Sequence, residues 1–159
     1  MSNYSKFSKT TFFFCFLLIL FSCSSQEIQD QNHQIEIESI WDVFVASWHS
    51  QDAASCASIY LENGLNIAPE FPVNQGREKI ASFYDFLFSD HISSVYQHNI
   101  LELTPSGEDL IERGEFQVDW VRNDQSTWTY RARTLTHWTK DEKGNWKIKS
   151  LIFNQAPEK

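Results

Sequence analysis

Cysteine is scarce, with three residues in a chain of 159. That excludes a disulfide-built scaffold, and no CxxC or HxxxH spacing offers a structural zinc site. Neither a metal nor a cofactor is expected. Basic residues are in the minority, 13 Lys and Arg against 21 Asp and Glu, for a net charge of −8. A nucleic-acid partner is therefore not expected, because neutralising phosphates takes clustered Lys and Arg. Long apolar runs are missing as well. The longest, Phe12 to Phe21, falls well short of the ~20 residues that span a bilayer. Glycine is sparse, and neither a phosphate-cradling Gly-rich loop nor a GxSxG elbow occurs. What the chain does have is apolar (42%) and aromatic (15%) side chain. That composition excludes intrinsic disorder and, at this length, points to one folded domain.

The N-terminus reads as an address. Lys6 and Lys9 make a positive start, Phe12 to Phe21 has the length of a signal-peptide core, and Leu20-Phe21-Ser22-Cys23 closes it. This ending resembles a bacterial lipobox, with Phe21 bulkier than the commonest residue there. The resemblance implies cleavage after residue 22 and lipid attachment at Cys23. It also implies membrane contact through that lipid alone, in the bacterial cell envelope, as a periplasmic or outer-membrane lipoprotein. The alternative is an ordinary secretory signal cut near a Cys. The organisation expected is a signal over 1–22, a polar tether over 23–35, a folded domain over 36–155 and a fraying tail over 156–159. Cleavage removes Lys6 and Lys9 but no acid, so what remains is more acidic still. Cys56 has no neighbouring His and is expected as a small buried apolar side chain, not a nucleophile.

Along the domain, Ile37, Ile40, Trp41, Phe44, Val45 and Trp48 form one apolar stripe at helical spacing, ended by Ser50-Gln51-Asp52. Asp52 is suited to cap a second helix over Ala53 to Tyr60. Asn63-Gly64 reads as a turn, Leu65 to Ala68 as a short extended piece, and Pro69 to Gly76 as an irregular loop. A third helix starts near Arg77, with Ile80, Phe83, Tyr84, Leu87 and Phe88 on one side. Strands follow at Val95–Leu103, Leu110–Trp120, Trp128–Thr139 and Trp146–Asn154, joined by polar turns. Helices first and a strand meander afterwards mean α+β. The expected architecture is a curved antiparallel sheet, shaped as a cone, covered by three N-terminal helices, with an aromatic interior suited to a pocket.

The order of these segments resembles the nuclear transport factor 2-like superfamily, a cystatin-like fold, and its SnoaL-like bacterial domains. The resemblance rests on Ile59-Tyr60-Leu61-Glu62-Asn63-Gly64, on Pro72 with Gly76-Arg77-Glu78-Lys79-Ile80, and on Trp138 with Lys143-Gly144-Asn145-Trp146-Lys147-Ile148. It implies a homodimer through the open sheet face. The superfamily holds isomerases, cyclases, dehydratases and non-catalytic binders, so the fold does not choose among them. At the positions matching a steroid isomerase's base, oxyanion-hole Tyr and acid stand Ala68, Phe44 and Thr136, none able to move a proton that way.

Three residues remain as acid–base candidates. Glu112 shares the parity of Leu110, Phe116, Val118 and Trp120, so it is either desolvated on the inner face or wet at the sheet rim. His98 and His137 lie on strands and could each face a pocket. His49 and His91 are expected to be exposed, the latter in a loop. Trp41, Phe44, Trp48, Tyr60, Trp120, Tyr130 and Trp138 are the candidate ligand-binding walls, since flat rings stack on flat ligands. The expected function is a lipid-anchored binder of a small apolar or aromatic molecule. The alternatives are a cyclase, dehydratase or isomerase using Glu112 or a strand His, and a structural envelope dimer with a filled cone.

Overall fold

The computed structural model describes residues 31–157. The expected signal, Cys23 and most of the tether lie outside the described residues. Helix α1 runs over 31–49, so residues 31–35, expected as the end of the tether, are helical. The compact unit that carries the site spans Glu36–Lys159. In α1, Ile37, Trp41, Phe44 and Trp48 are all buried, spaced so that they fall on one face. Burying side chains of this size stabilises by roughly 2 kcal/mol each.

Asp52 caps α2 (Ala53–Ala57), accepting from the Ser55 amide at 2.9 Å. The second helix stops earlier than expected, because Ser58 turns back onto the Ser55 carbonyl and Ile59 accepts a sheet bond from Ile148. The chain then enters β1 (Tyr60–Ile67). Asn63-Gly64, expected as a turn, lies inside this strand beside a register shift between Tyr60 and Leu65. A Cβ on Gly64 would sit 2.9 Å from the Ile148 carbonyl, so the close strand approach there depends on glycine. A short β2 (Asn74–Gln75) precedes α3 (Arg77–Ser89), which buries Ile80, Phe83, Tyr84 and Phe88.

The long strands are β3 (His91–Ser106), β4 (Asp109–Arg122), β5 (Thr127–Lys140) and β6 (Trp146–Gln155). They form an antiparallel meander within one six-stranded sheet of order β2-β1-β6-β5-β4-β3. The sheet is mixed, because β1 pairs with β6 in parallel. His91, expected in a loop, opens β3 opposite Arg122 and is half-buried. Alternation holds along β4 and β5. Leu110, Glu112, Gly114, Val118 and Trp120 are buried, as are Ala132, Thr134, Thr136 and Trp138. Phe44 ties the layers together, with ring centroids 5.8 Å from Tyr84 on α3 and 5.1 Å from Tyr96 on β3.

Candidate functional site

Between helices and sheet lies a cavity of about 380 Å³. Of the expected ligand-binding residues, Trp41, Phe44, Trp48, Tyr60, Trp120 and Tyr130 line it. Trp138 does not; it is fully buried and its indole is committed elsewhere. Ala68 and Phe44, at the isomerase base and Tyr positions, also line the cavity. Its charged and titratable lining among the described residues consists of Glu70, His91 and tyrosines, without Lys or Arg. Glu70 sits at the exposed rim with φ 66, a left-handed backbone uncommon for a residue with a Cβ.

Inside the cavity three polar side chains meet. The Tyr60 and Tyr84 hydroxyls bond each other at 2.9 Å, and Asn66 Nδ2 donates to the Tyr60 oxygen at 2.9 Å. Asn66 Oδ1 is buried without a partner. Burial pushes the Tyr60 phenol up to about 12 against its hydrogen bonds from Tyr84 and Asn66, and holds Tyr84 and Tyr96 well above the ordinary tyrosine range. At neutral pH these phenols keep their protons.

A second polar cluster lies behind the aromatic wall. Glu112 is completely buried, so the wet-rim alternative is overturned. Its Oε2 accepts from Trp41 Nε1 at 2.9 Å and Trp138 Nε1 at 2.8 Å, and its Oε1 from His98 Nε2 at 2.6 Å. The His98 side chain is also buried, and Nδ1 has no partner, which places the ring proton on Nε2. The Trp41 ring stacks on the His98 ring with centroids 3.7 Å apart. Gly114 makes room for the carboxylate, since a Cβ there would meet Glu112 Oε1 at 2.9 Å and Thr134 Oγ1 at 2.8 Å. Thr136 stands directly opposite Glu112 on β5. The buried carboxylate of this chain is thus the cross-strand neighbour of the position that the isomerase resemblance assigns to an acid. Neither Glu112 nor His98 lines the cavity; Trp41 touches both and does line it.

The remaining candidates separate. The structure places His137 on the other sheet face, with Nε2 bonded to Asp109 Oδ2 at 2.7 Å. Asp109 is held below its usual range, first by Thr139 and then by His137 and Lys149. His49 is exposed. His91 lines the cavity, against expectation. It donates from Nδ1 to the Leu87 carbonyl at 2.7 Å and accepts on Nε2 from Trp128 at 3.1 Å, which fixes a neutral tautomer. Cys56 is free and buried, and desolvation with the Asp52 charge raises its thiol to about 12, too high for a nucleophile. Sequence reasoning missed Asn66, although Gly64 and Asn66 in β1 and Ala68 just after it alternate as one buried face. It placed Tyr84 only as helix core.

No family profile and no curated protein matches the chain. Solved structures do. A nuclear transport factor 2-like superfamily protein from Salmonella enterica superposes with TM-score 0.71 at 15% identity, over 81% of this chain and 94% of that one. A hexachlorocyclohexane dehydrochlorinase from Novosphingobium barchaimii gives 0.71 at 11% identity, over 82% and 91%. A ketosteroid isomerase-like protein from Erwinia carotovora gives 0.66 at 15% identity, over 78% and 96%. The chain has the nuclear transport factor 2-like fold, an α+β cone that enzymes and proteins of other kinds share.

Proposed function

We propose that this protein is a lipid-anchored binder in the bacterial cell envelope that holds a small apolar or aromatic molecule in its cone without transforming it. The observation that carries this reading is the cavity of about 380 Å³ with an aromatic wall, from which the buried carboxylate is set back. Pockets of this size and lining enclose small molecules through apolar area, with a few polar groups to orient them. An open cavity counts against a structural dimer with a filled cone. The anchor is the lipid expected at Cys23, followed by the polar segment after it. A homodimer through the outer sheet face draws support from Leu135 and Ile152, which pair across β5 and β6 and are 51% and 45% exposed.

Native mass spectrometry of the protein purified from its own host tests the binding reading. A co-purifying small molecule, released unchanged and rebound with a tryptophan fluorescence change, is the expected result. Conversion of that molecule on incubation with fresh protein overturns the reading in favour of an enzyme. The enzyme alternative draws on one observation, the buried Glu112–His98 pair at 2.6 Å, an acid–base couple for any substrate that displaced Trp41.

A further inference from the structure

The polar end of the cavity has an uneven hydrogen-bond inventory. Tyr60 and Tyr84 bring two hydroxyl protons between them, and the bond joining them uses one. Asn66 Nδ2 donates to Tyr60 at 2.9 Å and approaches Tyr84 at 3.5 Å, so the amide supplies protons and takes none. One hydroxyl proton is therefore left over. On the same cluster, Asn66 Oδ1 is an acceptor with no donor, on a residue only 1% exposed. A buried acceptor left unsatisfied destabilises the cluster, and an arriving donor recovers that loss. The side chains that line this end of the cavity thus leave one donor and one acceptor unused.

The charge pattern narrows the class further. No Lys or Arg lines the cavity among the described residues, so a carboxylate or phosphate would enter without a counter-ion. Glu70 is the lining carboxylate, and it is exposed at the rim, where water screens it. A cation brought to the polar end would be desolvated against neutral groups alone.

We propose that Asn66, with the Tyr60–Tyr84 pair, selects an uncharged aromatic ligand whose polar end both donates and accepts a hydrogen bond, as a phenol, an alcohol or a carboxamide does. The donor of that group satisfies Asn66 Oδ1, and its oxygen receives the spare tyrosine proton. Sites built to pair a ligand's polar hydrogen discriminate strongly against analogues that lack it, because their own buried groups are then left unpaired. This inference rests on the binding reading above and names the ligand class for the same cavity.

The test is calorimetric titration of the full domain at pH 7 with a naphthalene series of one shape. The series is 2-naphthol, 2-naphthamide, 2-methoxynaphthalene, 2-naphthoate, 2-naphthylmethylamine and naphthalene itself. The naphthol and naphthamide are expected to bind roughly tenfold or more tightly than the methoxy compound and the two ions. Asn66→Leu is expected to erase that preference, bringing naphthol and methoxynaphthalene to equal affinity. The double variant Tyr60→Phe with Tyr84→Phe, which removes both hydroxyl protons, keeps the proposal testable if Asn66→Leu does not fold; it should remove the gain of methoxynaphthalene over naphthalene. Equal affinity for naphthol and methoxynaphthalene overturns the inference and leaves the binding reading standing, as does tightest binding by either ion. Failure of every probe, naphthalene included, overturns both.

Discussion

Trp41 donates its indole proton to Glu112 across 71 residues of sequence, and the same ring forms part of the cavity wall. A helix side chain and a strand carboxylate therefore fix each other, and the wall is only as well placed as the carboxylate behind it. Removing the acceptor should cost far more than altering it. Glu112→Ala leaves two indoles and an imidazole without an acceptor and opens a void, for an expected loss of about 3–5 kcal/mol. Glu112→Gln keeps a carbonyl for the indoles and, once the His98 proton shifts to the unpartnered Nδ1, an amide that donates to Nε2, and should lose about 1–2 kcal/mol. Urea denaturation of both variants checks the order; a Gln variant no more stable than the Ala variant would refute it.

Gly114 is predicted to be intolerant of any side chain. A methyl group there presses on Glu112 Oε1 and Thr134 Oγ1 inside 3 Å, with the Asn99 carbonyl at 3.1 Å. Gly114→Ala should destabilise by about 1–3 kcal/mol through forced displacement of the carboxylate. Thermal unfolding measures it, and a Tm equal to wild type would show that the cluster yields freely.

Stability should fall on the alkaline side before lysines titrate fully. Burial raises the Tyr60, Tyr84 and Tyr96 phenols above their unfolded value near 10. The folded state then holds protons that the unfolded state releases. The contribution is fully present below pH 10 and is lost as pH climbs toward the folded value, about 12 for Tyr60. Absorbance at 295 nm against pH, followed alongside circular dichroism, should show these tyrosines ionising with unfolding. Their ionisation in the intact fold below pH 10 would contradict the burial.

The lipid anchor has a direct test. In the native host, an alkyne-tagged fatty acid should label the wild-type chain, and Cys23→Ser should abolish the label and move the protein from the membrane to the soluble fraction. A labelled Ser variant would refute attachment at Cys23.

If the outer face joins two copies, Leu135→Asp together with Ile152→Asp should shift sedimentation from dimer to monomer without lowering Tm, since both side chains are about half exposed. A monomeric wild type at tens of micromolar would dispose of that interface.

The strands and the first helix were legible because their periods are local: alternation placed Glu112 with Leu110 and Trp120, and the α1 stripe placed Trp41 with Phe44. Depth was not legible. Whether Glu112 is wet or dry depends on which distant side chains cover it, and Trp41 and His98 arrive from other elements. The start of β1 was misread for a related reason. Asn63-Gly64 carries turn chemistry, yet the parallel neighbour Ile148 lies far along the chain and pulls the segment into the sheet. His91 was misplaced because nothing in its own neighbourhood announces Arg122 as its strand partner.

Among the described residues β6 comes latest along the chain, yet it is an inner strand of the sheet, flanked by β1 on one side and β5 on the other. The early hairpin of β1 with β2 and the later sheet of β3 to β5 have no shared edge until β6 is inserted between them. A ribosome-bound chain lacking Trp146 to Gln155 therefore has two unsealed halves, and the sheet cannot close until β6 has been made.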